Sequence, residues 1–292
     1  MKNICIKTNG IKLQVRDHEH AGDALLFLHF GGANLAMWQR ALPYFEKDYR
    51  PVLIDLRGHG KSDKPETGNH MDEMARDVAG VLDALQIERA HIVGSSLGAE
   101  VGLALAANFP QRVLSLTCDG ALADEYGPYG VWEGSKASYR EYVTDILEKM
   151  RKKPEPVFPS VDAYVAAKRE AFAEDGWWNE YFEALFRYDA CQIGPGEYTN
   201  GWRKHAKVDY MRSYFDYRFE DYYPRVQCPV LMLADEGDEK NERMMKAIRG
   251  LCGLAPRGRV AIVPGWIHPY GWLLDPDRMC TTVLEFLAEI RA

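Results

Sequence analysis

Six short apolar runs recur along the chain, and helical patterns separate them. Because the runs show no alternation of polar and apolar residues, they are typical of strands that are covered on both faces of a parallel sheet. The runs lie at 25–28, 52–54, 91–93, 113–116, 230–233 and 260–263. The helical patterns lie at about 36–47, 72–86, 97–108, 240–251 and 275–290. Repeated strand–helix units predict a doubly wound α/β sheet.

The first residues show a different pattern. Residues 3–7 and 11–16 read as a strand pair, the second with alternating polar and apolar side chains, and Asn9-Gly10 between them is a strong hairpin signal. These residues predict an antiparallel, half-exposed pair of strands. Together with the six apolar runs, the pair predicts an eight-stranded, mostly parallel sheet.

The strand pattern stops between about 121 and 226. Helical patterns at 136–151, 161–173 and 177–188 replace it, and this stretch holds 23 of the 34 aromatic residues. A segment of this size cannot bury all of these rings within itself, so some are expected to face a cleft beneath it. The sequence therefore predicts a core of residues 1–120 and 226–292 with a helical cap at 121–225. A hydrophobic pocket is expected between the two.

Composition and charge limit the classes of partner. The formal net charge of −7 argues against nucleic acid or an anionic membrane as the main partner. No apolar run reaches the ~20 residues of a membrane helix, and the first residues lack the apolar stretch of a secretory signal. The six cysteines are too widely spaced for a C-x-x-C pair, which disfavours a disulfide framework or metal cluster. We expect a cytoplasmic monomer or homodimer that acts on a small molecule.

The most informative motif is Gly94-Ser95-Ser96-Leu97-Gly98, which matches G-x-S-x-G. It follows a buried-strand pattern and precedes a helix pattern. In this context a serine on a sharp turn exposes its hydroxyl to a cleft, and the amino end of the helix places a positive dipole near a developing oxyanion. Ser96 is therefore the candidate nucleophile, and this pocket is expected to have Ser96 at its floor.

A serine hydroxyl needs a base to take its proton, usually a histidine that a carboxylate orients. The histidines that follow Ser96 are His205 and His268. His205 lies within the predicted cap and is expected to be solvated. His268 follows the run at 260–263, at the sheet edge where ligands bind in such folds, so His268 is the candidate base.

Two carboxylates compete for the role of the orienting acid. Asp238, in the loop after the run at 230–233, is the preferred candidate. Asp119, which ends the strand that begins at residue 113, is the alternative, because both loops open on the same edge of the sheet. A turn or capping role beside Gly120 is the other interpretation of Asp119.

Four motifs resemble those of the α/β-hydrolase superfamily, in the subset with a helical cap. They are Leu28-His29-Phe30-Gly31-Gly32, the D-x-R-G-x-G-x-S-x pattern of Asp55–Asp63, the Ser96 motif, and a fourth that pairs Cys228-Pro229-Val230-Leu231 and Asp238 with Pro264-Gly265-Trp266-Ile267-His268. The resemblance covers 1–120 and 226–292, and it implies the α/β-hydrolase fold. The motifs are not specific for a substrate.

The resemblance also implies an oxyanion hole formed by the backbone amides of Gly31 and Leu97. The chain has Phe30 where the family usually has glycine, so a neighbour of Gly31 is the alternative donor. Four further residues of these motifs are expected to organise loops rather than to transfer protons: His29, Arg57, His59 and Asp63.

These residues predict a serine hydrolase that cleaves a carboxylic ester or lactone through an acyl-enzyme, with Ser96, His268 and Asp238 as its triad and no metal or organic cofactor. The same triad serves thioester and C–C cleavage. In the superfamily that this chain resembles, haloalkane dehalogenases and epoxide hydrolases have aspartate at the turn position that Ser96 occupies here. Ser96 therefore disfavours both reactions. The aromatic cap favours a substrate with a hydrophobic or aromatic portion. The alternative function is a ligand-binding signalling or receptor protein of this fold with slow hydrolysis.

Overall fold

The computed structural model describes residues 1–291, so Ala292, the last residue of the predicted core segment, lies outside the described residues. The strands in chain order are β1 (Lys2–Thr8), β2 (Ile11–Asp17), β3 (Ala24–Leu28), β4 (Arg50–Ile54), β5 (Ala90–Ser95), β6 (Val113–Asp119), β7 (Cys191–Gly194), β8 (Glu197–Thr199), β9 (Val230–Ala234) and β10 (Gly258–Ile262). Eight of them form one sheet in the order β1-β2-β4-β3-β5-β6-β9-β10.

The strand directions confirm the predicted architecture. β1 pairs antiparallel with β2, and β2 pairs antiparallel with β4. All other neighbours in the large sheet are parallel. The predicted runs therefore form an eight-stranded, mostly parallel sheet, and their carboxyl ends meet at one edge of it.

Eleven α-helices follow the strands or lie between β6 and β9 within the described residues. They are α1 (Leu42–Phe45), α2 (Met71–Ala84), α3 (Leu97–Asn108), α4 (Lys136–Lys152), α5 (Val161–Ala173), α6 (Glu180–Asp189), α7 (Lys204–Tyr214), α8 (Glu236–Lys240), α9 (Glu242–Leu254), α10 (Gly271–Leu274) and α11 (Asp277–Arg291). Short 3₁₀ helices lie at Leu35–Trp38, Pro110–Arg112, Phe219–Asp221 and Tyr223–Arg225. None of the helices in residues 1–291 is long and apolar enough to cross a membrane.

One predicted helix is wrong as a continuous element. Instead of a helix over 36–47, the chain forms the 3₁₀ turn Leu35–Trp38 and then the single turn of α1. Pro43 lies in the first turn of α1. Proline has no amide hydrogen to donate to the preceding turn, so a continuous helix through this position would lose a hydrogen bond.

Both faces of the sheet are covered, as the unbroken apolar runs predict. Leu26 and Leu28 of β3 belong to one buried apolar cluster, which includes side chains of α2, α3 and α9. Leu25 and Phe27 belong to a second cluster with α11. Successive side chains of a strand point to opposite faces, and full burial of each large apolar side chain contributes about 1.5–3 kcal/mol.

The segment between β6 and β9 contains α4–α7, the β7–β8 hairpin and the last two 3₁₀ helices. Its ends meet in the sheet, because the Leu116 amide donates to the Pro229 carbonyl oxygen at 3.0 Å. Its side chains contact the core through hydrogen bonds such as those from Tyr210 to Glu100 and from Tyr188 to Asp55. The boundaries of a cap domain at 121–225 stay a prediction.

Candidate active site

Ser96 stands on a sharp turn between β5 and α3. β5 ends at Ser95, α3 begins at Leu97, and Ser96 has φ 48° and ψ −117°. A positive φ is strained for a residue with a Cβ atom and persists only where the surroundings hold it. This conformation is expected of a serine nucleophile between a strand and a helix, and Ser96 is partly exposed.

Close backbone contacts hold this turn. A Cβ atom on Gly98 would lie 2.0 Å from the Leu28 carbonyl oxygen, and one on Gly94 would lie 2.4 Å from the Gly98 carbonyl oxygen. Gly120 has φ +135°, and a Cβ atom there would lie 2.6 Å from the Cα of Ser96. Side chains are excluded at these positions, so α3 begins directly against the end of β3.

His268 is paired with Asp119. The Nδ1 atom of His268 lies 2.7 Å from Oδ1 of Asp119, the last residue of β6. The Asp119 side chain is 1% exposed, whereas that of His268 is 37% exposed. Burial alone would lower the pKa of His268, but the charge and hydrogen bond of Asp119 outweigh it and raise this pKa above 6.5.

Asp119 is held as an anion by several donors. Oδ2 accepts hydrogen bonds from Ser95 Oγ and Trp272 Nε1, each at 2.7 Å, and Oδ1 also accepts one from Trp266 Nε1 at 3.2 Å. Burial would raise the pKa of Asp119, but the charge of His268 and these hydrogen bonds lower it below its ordinary value. Sequence reasoning missed Ser95, Trp266 and Trp272, because the acceptor of a hydroxyl or an indole N–H depends on where that side chain lies in the fold.

The choice of Asp238 as the partner of His268 is corrected by the structure. The Asp238 carboxylate accepts a hydrogen bond from the Asp235 amide at 3.2 Å, and its own amide donates to Asp235 Oδ1 at 2.8 Å. These reciprocal bonds form a capping box at the start of α8. The carboxylate of Asp238 therefore caps its helix, and within the described residues it makes no hydrogen bond to His268. Burial raises its pKa.

The two residues predicted to supply the oxyanion donors, Gly31 and Leu97, are neighbours in the fold. A Cβ atom on Gly31 would lie 3.7 Å from Leu97 Cδ1 and 3.0 Å from the ring of Trp202. The Leu97 amide is the first of α3, where amides have no acceptor within the helix. Sequence reasoning did not single out the contact of Trp202, which places an aromatic ring over this loop.

The remaining motif residues organise loops. His29 is buried; its Nε2 accepts from the Leu56 amide at 3.0 Å, and Nδ1 lies 2.8 Å from the Phe30 carbonyl oxygen. Burial lowers the pKa of His29 to about 4, so it is neutral. His59 is also buried, with Nδ1 3.0 Å from the Arg57 carbonyl oxygen.

Arg57 and Asp63 act in the same way. The Arg57 guanidinium donates two hydrogen bonds to Asp77, each at 2.7 Å, and Asp63 accepts from the Lys12 amide at 2.8 Å. His205, the other histidine weighed as a base, lies on α7 with Nε2 3.3 Å from the Lys64 carbonyl oxygen.

Glu100 is a further residue that the sequence analysis missed. It is the charged residue of an otherwise apolar helix, and a buried acid in such a helix must find a partner. Its two carboxyl oxygens lie 2.9 and 2.8 Å from the Tyr210 hydroxyl. Burial raises the pKa of Glu100 to about 8, so the carboxyl is mostly protonated at neutral pH.

Two cavities border these residues. We call the first the acidic cavity: it has a volume of about 390 Å³ and is lined by Ser96, Glu100, Asp119, Glu125, Asp235, Asp238 and His268 among others. We call the second the lysine cavity: it has a volume of about 500 Å³, begins at Phe30, Gly31 and Gly32, and carries Lys153, Lys168, Lys204 and Lys207. The expectation of a hydrophobic pocket with Ser96 at its floor holds only in part: apolar and aromatic side chains such as Leu122, Phe219 and Trp266 line the cavity of Ser96, but five carboxyl groups share its wall.

Comparison with known proteins identifies the family. The family model for the alpha/beta hydrolase fold matches residues 23–268. A fluoroacetate dehalogenase of Burkholderia sp. is 31% identical over 93% of this chain and 89% of its own. The 3-oxoadipate enol-lactonase 2 of Acinetobacter baylyi is 36% identical, over 40% of this chain and 44% of its own length. A 2-(acetamidomethylene)succinate hydrolase of Mesorhizobium japonicum is 35% identical over 41% of each chain. The chain thus spans less than half the length of these last two relatives.

Solved structures agree in fold. The crystal structure of E-2-(acetamidomethylene)succinate hydrolase matches with a TM-score of 0.76 at 23% identity, over 98% of this chain and 100% of that one. The enol-lactonase from Burkholderia xenovorans LB400 matches with a TM-score of 0.67 at 19% identity, over 98% and 100%. The Ser96 elbow, the eight-stranded sheet and the family match lead to one conclusion: the chain belongs to the α/β hydrolase family.

Proposed function

We propose that this protein is a serine hydrolase that cleaves a carboxylic ester or lactone through an acyl-enzyme, with Ser96 as nucleophile, His268 as base and Asp119 as the orienting acid. The observation that carries the proposal is that Ser96, on its strained turn, lines the same cavity as the His268–Asp119 pair. Asp119 replaces Asp238 in the triad expected from the sequence.

The proposed chemistry follows from the tautomer that Asp119 selects. With Nδ1–H donating to Asp119, Nε2 of His268 is free to accept the Ser96 proton. Ser96 Oγ then attacks the carbonyl carbon, and the amides of Leu97 and Gly31 donate to the oxyanion. His268 returns the proton to the leaving oxygen. Water, deprotonated by His268, attacks the acyl-enzyme, and the acid leaves as Ser96 regains its proton.

Several relatives support hydrolysis but differ in the bond that their names imply. They include an enol-lactonase and a 2-hydroxy-6-oxononadienedioate hydrolase. Cleavage of a lactone, an ester, a thioester or a C–C bond would use the same proposed nucleophile and base. The alternative is a ligand-binding signalling or receptor protein that retains the triad but turns over slowly. The proposal of a small-molecule substrate with a hydrophobic or aromatic portion rests on the rings that line the lysine cavity.

Dehalogenation, the activity in the name of one relative, fits Ser96 poorly. A carboxylate that displaces halide forms an ester, which water hydrolyses to release the product. Serine would form an ether, and neither His268 nor an oxyanion hole provides a route to cleave an ether. Halide release from fluoroacetate is therefore not expected.

The direct test is turnover of a panel of 4-nitrophenyl esters and lactones by the parent protein and by Ser96→Ala. Hydrolysis that is at least ~10³-fold faster with the parent supports the proposal, since removing a triad member has effects of this size or larger. Turnover that survives in Ser96→Ala overturns it. Turnover close to the uncatalysed rate, with ligand-induced thermal shifts, favours the receptor alternative. Fluoride release from fluoroacetate is measured in parallel.

A further inference from the structure

The lysine cavity borders the loop that carries an expected oxyanion donor. It begins at Gly31, the expected oxyanion donor, and includes Tyr270, two residues after His268. The acidic cavity contains His268 itself. Because His268 must protonate the leaving oxygen, the leaving group is directed toward the acidic cavity. The acyl group extends the other way from the carbonyl carbon, and on the side of the Gly31 loop the neighbouring space is the lysine cavity.

Aromatic rings form much of the wall of the lysine cavity. They belong to Phe30, Phe172, Phe186, Trp202 and Tyr270. Phe172 and Tyr270 pack edge to face with their ring centroids 5.3 Å apart. The lysine cavity has a volume of about 500 Å³. Together with its aromatic wall, this volume suits an acyl group with an apolar or aromatic body.

The charges in this cavity are unbalanced. Four lysines face two carboxylates, those of Glu155 and Asp189. Glu155 is already paired, because it accepts hydrogen bonds from two nitrogens of Arg203 and from the Lys204 amide. Asp189 is buried and accepts from the Tyr164 hydroxyl and the Gly201 amide, and burial raises its pKa. Positive charge therefore remains on the cavity wall.

Lys207 lines this cavity and is exposed, so its ammonium group is accessible to a ligand. Its Nζ lies 5.4 Å from the centre of the Trp202 ring, and within residues 1–291 it makes no hydrogen bond or ion pair. Lys168, in contrast, donates from Nζ to Asn200 Oδ1 at 2.7 Å. Desolvation lowers the pKa of both lysines, and the charge of Lys153 lowers that of Lys207 further. A ligand anion beside Lys207 would offset this repulsion.

The acidic cavity limits where such an anion can bind. Glu125, Asp235 and Asp238 line it, so a carboxylate of the substrate bound there would meet like charge. Glu100 adds no charge, because it is mostly protonated at neutral pH. We propose that the substrate's acyl group has an apolar or aromatic body and ends in a carboxylate, which Lys207 and Lys168 bind in the lysine cavity. The leaving group is uncharged or cationic. This proposal deepens the proposed hydrolase function and rests on it for the orientation of the acyl group.

The kinetic test compares mono-4-nitrophenyl pimelate with 4-nitrophenyl heptanoate, which have acyl chains of equal length and differ in the terminal carboxylate. The parent enzyme is expected to have the higher kcat/KM for the pimelate ester after background hydrolysis is subtracted. Lys207→Met should lower the pimelate-to-heptanoate ratio at least tenfold, and Lys207→Arg should restore most of it. Lys47→Met, at an exposed position away from both cavities, is the matched control and should leave the ratio unchanged.

A binding measurement keeps this test separate from the test of hydrolysis. Calorimetric titration of Ser96→Ala with 4-phenylbutyrate should show one site, which Lys207→Met weakens at least tenfold and which added salt weakens as well. If neither ester is turned over but 4-phenylbutyrate binds in a Lys207-dependent way, the hydrolase proposal fails and the anion site stands. A parent enzyme that prefers heptanoate, or binding that Lys207→Met leaves unchanged, would overturn the anion site.

Discussion

Nδ1 of His268 lies 2.7 Å from Oδ1 of Asp119, so the carboxylate at the end of β6 holds this imidazole. The loop after β9 supplies Asp238 to the same cavity, but that side chain caps α8. His268, the proposed base, is thereby paired with a residue of β6 rather than with one that follows β9. β6 is the neighbour of β5, and β5 leads into Ser96.

The first prediction separates the two acids. Asp119→Asn should lower kcat by roughly 10⁴-fold, because an amide in place of the carboxylate favours the wrong tautomer of His268. Asp238→Asn should stay within a few-fold of the parent, since the amide oxygen of asparagine can still accept the hydrogen bond from the Asp235 amide. Steady-state kinetics on one nitrophenyl ester measures both. An inactive Asp238→Asn beside a folded, active Asp119→Asn would reverse the assignment.

The second prediction concerns pH. His268 must be neutral to accept the Ser96 proton, so kcat/KM should rise with pH through the pKa of the free enzyme's His268 and then level off. Because Asp119 raises that pKa above 6.5, the inflection should lie above this value. In the residual activity of Asp119→Asn the inflection should move to lower pH. An inflection that stays at the same pH in this variant would mean that Asp119 does not set the pKa of the base.

The third prediction concerns stability. The pKa of Glu100 is about 8 in the folded protein and near 4.5 when unfolded, and burial is the main cause. Between these values the native state binds a proton that the unfolded state has lost, so the folded state becomes less stable as pH rises. Glu100→Gln removes this cost and can still accept from the Tyr210 hydroxyl. The Tm advantage of Glu100→Gln over the parent should therefore grow from pH 5 to pH 8.

The control for this effect is an exposed acid. Glu285→Gln, on the exposed face of α11, should change Tm little at any pH in this range. A Tm difference between Glu100→Gln and the parent that is constant with pH would show that Glu100 keeps an ordinary pKa in the folded protein.

The parts predicted from the sequence are those with a local signal. The apolar runs and the Asn9-Gly10 hairpin signal predicted the strands of the large sheet, and the strand–elbow–helix pattern predicted the turn on which Ser96 lies. His268 followed from its position after the last strand. Each of these depends on neighbours in the chain, so the pattern alone carries the information.

The other features of the site depend on how side chains that are far apart in the sequence are oriented in the fold. Asp119 and Asp238 end neighbouring strands at the same edge, and only the fold decides that one meets His268 while the other caps a helix. The charge of the lysine cavity likewise depends on which faces of α5 and α7 border it, because Lys168 and Lys207 lie on those helices. The contact of Trp202 with Gly31 joins residues far apart in the chain.

The most direct test of Ser96 as the nucleophile is labelling with a fluorophosphonate, followed by intact mass measurement and peptide mapping. The proposed mechanism predicts one adduct in the native protein, on Ser96 and not on the adjacent Ser95, with none in heat-denatured protein and none in Ser96→Ala. Labelling of His268→Ala should be slower by orders of magnitude, because the base is missing. An adduct that persists in Ser96→Ala, or that maps to another residue of the native protein, would contradict the assignment of Ser96 as the nucleophile.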